Sequence, residues 1–221
     1  MASLQKTLKL LARGEGGLRP LREMGMQEIL AVSDLAATSP HAALDVLFHA
    51  WIELVDHRRS RLDVRQQLFR RFEAVGTLPA PWIGAAFEAV RRLERTTSGR
   101  HHVYVLACSG HGDDRRGLGL YAGQSRYTPE RRFGEHASGL REKRAARDFR
   151  LDRVGGRRVP LGLLPSFHAH LNPLSRAEAD VLEVALVEAL LSAGVPKVLV
   201  GGPRVLKPRS VEDGAGDERV S

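Results

Sequence analysis

The period of the apolar residues changes once along the chain, near residues 96–101, and this change constrains the fold more than any other feature. Before it, "MQEILAVSDLAATS", "AALDVLFHAWIELVDH", "LDVRQQLFRRFEAV" and "APWIGAAFEAVRRLER" place apolar side chains three and four apart, as in Leu47, Trp51, Leu54 and Val55. That is the spacing of amphipathic helices. Pro40 and the stretches "GTLPAP" and "TTSGR" punctuate them. After the change, "HVYVLAC" and "LGLYAG" have the β-branched and aromatic content of short strands, joined by a polar "SGHGDDRRG" suited to a hairpin loop. The expected fold class is α+β. A helical bundle for recognition or assembly is expected over 1–98, then a small α/β domain over 99–200 with a three-stranded, mostly antiparallel sheet flanked by helices. Residues 201–221 are almost free of apolar side chains and are expected to be a disordered tail.

Two helices are predicted in the second half. Thr128 before Pro129 is a start signal and Gly139 a stop signal, so "PERRFGEHASG" reads as a short helix. "VPLGLLPSFHAHL" reads as a third strand interrupted by Pro165, and a long helix follows from Arg176 to Ala193, closed by Gly194 and Pro196. Ser175 with Glu178 forms a capping box at its start.

That long helix contains a carboxylate in an unexpected place. Around Glu183, the positions at minus four, plus three, plus four and plus seven are Ala179, Leu186, Val187 and Leu190, so Glu183 projects from the apolar stripe while Glu188 points outward. A charge aimed at a core is costly unless a cation, a hydrogen-bond network or a metal meets it. Mg²⁺ is often held by one or two carboxylates, with phosphate oxygens and waters completing its shell.

Charge points the same way. Of the net +8, the segment from Arg126 to Arg158 holds eleven Arg or Lys against five Asp or Glu, leaving 23 basic and 21 acidic residues elsewhere. A phosphate-bearing polymer suits such a patch, because each neutralised phosphate releases counterions. DNA is the expected partner, with RNA the alternative, and the basic candidates for contact are Arg126, Arg131, Arg141, Lys143, Arg144 and Arg147. Within this segment Arg132 and His136 lie four apart on one helix face, and Tyr121 at the end of the preceding strand can point to the same spot.

Other features narrow the setting. One cysteine, Cys108, rules out an intramolecular disulfide, and a reducing cytoplasm is the expected location. No apolar run reaches the roughly 20 residues that span a bilayer, so no membrane partner is expected. The opening "MASLQKTLKLLAR" is basic and amphipathic, as a targeting segment or a plain first helix would be. His168 and His170 are expected on one face of a strand, as a metal pair would be, but lack a third ligand nearby.

The segment from about His102 to Val200 resembles the GIY-YIG nuclease family, whose signature is two tyrosine-bearing strands followed by an arginine helix and a glutamate helix. "HVY" supplies Tyr104, "YAGQS" supplies Tyr121, "PERRFGEHASG" is similar to the arginine helix of small stand-alone members, and "AEADVLEVALVEAL" resembles the glutamate helix of the excision-repair members. The resemblance implies metal-dependent hydrolysis of a phosphodiester. It assigns Glu183 to Mg²⁺ or Mn²⁺, and Arg132 to the transition-state phosphate, with Arg131 the neighbouring alternative in register. Tyr104 or Tyr121 would orient or deprotonate water, His136 would receive the proton, and Gln124 would hold phosphate or water. The sequence departs from the family pattern in three ways: His102 stands where the first tripeptide has glycine, the loop between the tyrosines is long, and no asparagine follows the glutamate helix. Asn172, the one asparagine of the chain, precedes it. Two other readings remain open: a nucleic-acid-binding protein with an impaired nuclease domain, and helices 1–98 that bind a protein partner or a second copy.

Overall fold

A computed structural model describes residues 19–37, 43–109, 117–137, 160–196, 198–200 and 205–206. The first half contains helices α1 (Arg19–Arg22), α2 (Met26–Ala37), α3 (Ala43–Trp51), α4 (Leu62–Ala74) and α5 (Ile83–Arg91), with a π-helical turn, Ile52–His57, continuing α3. The widened turn encloses buried Glu53 and returns Arg58 to it, with Arg58 Nε 2.7 Å from Glu53 Oε1. Arg58 also donates to the carbonyls of Leu21, Arg22 and Met24, which fastens α1 to the bundle.

One face of α3 (Val46, Ala50) packs with Ile29, Val32, Val64 and Leu68 in a core formed by helices alone. Its other face (Leu44, Leu47, Phe48) enters a larger core with Trp82, Ile83 and Phe87 of the first half and Val105, Leu120, Phe167, Leu186, Val187 and Leu190 of the second. Phe167 sits edge-on to both Phe48 and Phe87, with centroids 6.1 and 5.8 Å apart. The expected division at residue 98 therefore does not separate two hydrophobic cores. The amphipathic helices needed a second surface to cover, and the sheet supplies it. Leu62, Phe69, Met26 and Leu35 are the large apolar side chains left exposed on the first-half helices, among the described residues.

The sheet is mixed and contains β1 (His102–Cys108), β2 (Gly119–Ser125), β3 (Pro160–Leu163), β4 (Val198–Val200) and β5 (Val205–Leu206), in the order β3-β1-β2-β4-β5. β1 pairs antiparallel with β2 and β3, as expected, but β4 adds parallel to β2 and β5 antiparallel to β4. The α+β class holds, while a three-stranded sheet is an undercount. β4 is three residues long and β5 two, too short to carry a readable alternation. Val205–Leu206 thus forms a strand inside the segment expected to be tail; 201–204 and 207–221 lie outside the described residues, as do 1–18 and Gly139.

Helices α6 (Pro129–Ala137) and α7 (Arg176–Ser192) follow the predicted bounds closely. Ser175 Oγ accepts the Glu178 N–H, and Gly194 takes φ +86° just past the helix end. The return half of the capping box is absent: the Glu178 carboxylate accepts instead from Thr96 and Thr97, both backbone and hydroxyl, and ties the linker between the halves to the start of α7.

The expected strand through Pro165 ends at Leu163 and gives way to two 3₁₀ turns, Pro165–Phe167 and Ala169–Leu171. Proline fixes φ and removes a ladder donor, which favours a turn over a strand here. His168 and His170 consequently share no strand face. His168 is buried and its Nδ1 accepts the Val105 N–H at 3.2 Å, whereas His170 is exposed. Asn172 bonds both backbone groups of Val103, at 2.9 and 2.8 Å, and so clamps the start of β1.

Candidate active site

The two faces of the β1–β2 hairpin do different work. Val105, Ala107, Leu120 and Ala122 face the helical layer, while Tyr104, Leu106, Cys108 and Tyr121 face the opposite side and pack with Phe133 of α6. Tyr104 pairs across the ladder with Gly123, and Tyr121 with Leu106, so the two tyrosines are diagonal neighbours on one face. Their ring centroids are 5.9 Å apart. Gly123 is what lets them converge: a Cβ there would lie 2.8 Å from the Tyr104 hydroxyl and 2.9 Å from a Tyr121 ring carbon.

Helix α6 lies over the tyrosines and presents Arg132 and His136 to them from successive turns. His136 is buried, with Nε2 3.3 Å from the Tyr104 hydroxyl and its ring 5.4 Å from that of Tyr121. Arg132 and Tyr121 also hydrogen-bond the Tyr104 hydroxyl. Burial and the Arg132 charge lower the His136 pKa to about 4, so its ring is neutral near pH 7 and can accept at Nε2. Burial raises the pKa of Tyr104, a rise that Arg132 and Tyr121 only partly offset, so the phenol keeps its proton. Arg132 is 13% exposed, and its Nε is buried without a hydrogen-bond partner among the described residues. Burial opposes its charge, but Tyr104 and Glu135 outweigh that and keep the guanidinium protonated.

Glu183 reaches the same place from α7. Its neighbours Ala179, Leu186, Val187 and Leu190 are buried, and the carboxyl itself is half-buried beside the end of β2, where it meets the Gln124 backbone N–H. Burial, and then the charge of Asp180, push its pKa up to about 7, with the Gln124 contact opposing them. No Arg, Lys or His forms an ion pair with it among the described residues. A half-buried carboxylate beside a second acid is a setting that favours a nearby cation. Among the described residues no group of three or more His, Cys, Asp or Glu is arranged to hold a metal. A cation held by one carboxylate, with phosphate and water completing its shell, needs no such group.

Tyr104, Tyr121, Arg132, His136 and Glu183 thus come from four elements to one site. Gln124 lies at its rim, where its Nε2 donates to Asp180 at 2.8 Å. Arg126 and Arg131 both lie over the Tyr127 ring, at 5.0 and 3.8 Å from its centroid. Arg141, Lys143, Arg144 and Arg147 lie outside the described residues. Three residues that sequence reasoning passed over join the cluster. Glu135 takes both Arg131 and Arg132, Asp180 holds Gln124, and Tyr127 carries the two arginines. The i,i+3 and i,i+4 spacing of Glu135 was the available signal for the first.

Among the described residues no helix is long and apolar enough to cross a membrane. Compared with family models, curated proteins and solved structures, the chain matches none.

Proposed function

We propose that this protein is a metal-dependent nuclease of the GIY-YIG type that hydrolyses phosphodiester bonds of DNA, with RNA the alternative substrate. The observation that carries the reading is the convergence of Tyr104, Tyr121, Arg132 and His136 with the desolvated carboxyl of Glu183. A core does not need five polar groups in one place, and each has a role in opening a phosphodiester.

Arg132 supplies a fixed fork of donors to the phosphate and neutralises charge that builds on its oxygens. A water beside Tyr104 gives its proton to the phenol oxygen as the phenol proton passes to His136 Nε2, 3.3 Å away. The water oxygen forms the new bond to phosphorus, and the leaving oxygen departs with the electron pair of the broken P–O bond. In the free protein His136 is a weak base, but an arriving phosphate brings negative charge next to it and raises its proton affinity. Tyr121 orients Tyr104 through its hydrogen bond to the phenol. A divalent cation held by Glu183 would supply further neutralisation of the phosphate and the leaving oxygen.

Incubation of the full chain with single- and double-stranded DNA and RNA, in Mg²⁺ or Mn²⁺ and in EDTA, tests the proposal. Cleavage that depends on the metal and disappears in Tyr104→Phe is the expected result. Binding without cleavage of any of these substrates would favour the impaired, binding-only reading instead.

A further inference from the structure

The carboxylate of Glu135 lies against the guanidinium groups of Arg131 and Arg132, the second of which is the arginine assigned above to a substrate phosphate and the first its neighbour. Its Oε1 is 3.2 Å from Arg131 Nε, and its Oε2 is 2.5 Å from a terminal nitrogen of Arg132. Two oxygens bridging two guanidinium groups is also the arrangement that the non-bridging oxygens of a phosphodiester satisfy. A surface pair that merely decorates a helix would leave its arginines loose once broken. Here both arginines have other anchors. Arg131 stacks at 3.8 Å on Tyr127, a ring that Arg126 also covers and whose hydroxyl accepts from Arg126 at 2.9 Å. Arg132 is 13% exposed and bonds the Tyr104 hydroxyl. Each guanidinium group therefore has an anchor besides Glu135, whereas its availability depends on Glu135.

We propose that Glu135 is an internal competitor for the phosphate position: its carboxylate occupies Arg131 and Arg132 in the free protein and a phosphodiester displaces it. This rests on the nucleic-acid reading of the site and deepens it by naming what sets its selectivity. A lone phosphate must compete with a carboxylate that is already in place at high effective concentration. A polymer brings neighbouring phosphates that engage Arg126 as well, and so carries the exchange. The device holds down binding of small anions without removing an arginine.

The test uses the full chain in EDTA, so that binding is read without cleavage. The probes are a fluorescent single-stranded oligonucleotide of about 20 nucleotides, titrated between about 50 and 200 mM salt, and inorganic phosphate. Glu135→Gln keeps the shape and deletes the charge. It is expected to lower the oligonucleotide Kd by about fivefold, to steepen the slope of log K against log salt by about 0.7, and to make inorganic phosphate an effective competitor. Glu130→Gln, which removes a charge from the exposed first turn of the same helix, should shift Kd less than about twofold. Glu135→Asp, with its carboxylate drawn back by one methylene, should fall between wild type and Gln, and it carries the test if the Gln variant does not fold. Unchanged or weaker binding by Glu135→Gln, or no binding by either protein, overturns the inference. A wild type that binds but never cleaves in Mg²⁺ sinks the nuclease reading alone and leaves this one standing.

Discussion

Leu186→Ala separates one shared core from two adjoining ones. Leu186 is fully buried on α7, in the second half of the chain, and its cluster includes Trp82, Ile83 and Phe87 from the first half. Truncating a buried leucine to alanine loses the transfer free energy of its removed carbons and leaves a partly relaxed cavity, together about 2–5 kcal/mol. At a urea m-value of about 3 kcal/mol per molar, a cost of about 3 kcal/mol lowers the unfolding midpoint by about 1 M. Both tryptophans, Trp51 and Trp82, precede residue 98, so both fluorescent probes belong to the first half, with Trp82 at the shared core. A substitution in the second half should nevertheless move the fluorescence midpoint by that amount, in step with far-ultraviolet circular dichroism. A fluorescence transition that stays in place while circular dichroism becomes biphasic would refute the shared core and restore the division at residue 98.

Two further outcomes follow from the geometry. Gly123→Ala should fold but lose most cleavage, because its Cβ would stand 2.8 Å from the Tyr104 hydroxyl and push both tyrosine rings out of register with His136; wild-type turnover would refute the assigned convergence. Asp45 is buried at the Ser166 N–H and hydroxyl, and burial, partly offset by those bonds, raises its pKa to about 7 from 3.8. Its contribution to stability is therefore fully present below the unfolded value and is lost as pH rises through about 7, by at most about 4 kcal/mol. Asp45→Asn, which cannot ionise, should show a smaller fall in melting temperature between about pH 5 and pH 8 than the wild type. Equal falls would mean that Asp45 titrates as an exposed acid.

The helices and the tyrosine hairpin were legible because their signals are local. Thr128 and Pro129 mark the start of α6, Ser175 marks that of α7, and the helical wheel alone isolates Glu183 among Ala179, Leu186, Val187 and Leu190. What stayed hidden depends on partners far away in the chain. β4 and β5 exist because the free edge of β2 recruits them, and nothing within "KVLV" says so. The shared core was masked because a helix buried on two faces reads like a bundle helix buried on one. Glu178 looked like a capping residue only, since its bonds to Thr96 and Thr97 span about eighty residues of sequence. His168 looked like half of a metal pair until its lone pair was found on the Val105 N–H.

The central claim is that the Glu183 carboxylate serves catalysis and not folding. Its side chain has no ion-pair partner among the described residues, and its elevated pKa marks a charge that the fold tolerates at a cost. Glu183→Gln keeps the shape and removes that charge. Cleavage, DNA affinity in EDTA and melting temperature measured on one preparation decide the matter. Loss of most cleavage, with affinity retained and a melting temperature equal to or above wild type, is the predicted result; full cleavage, or activity that falls only in proportion to a lowered melting temperature, would contradict it.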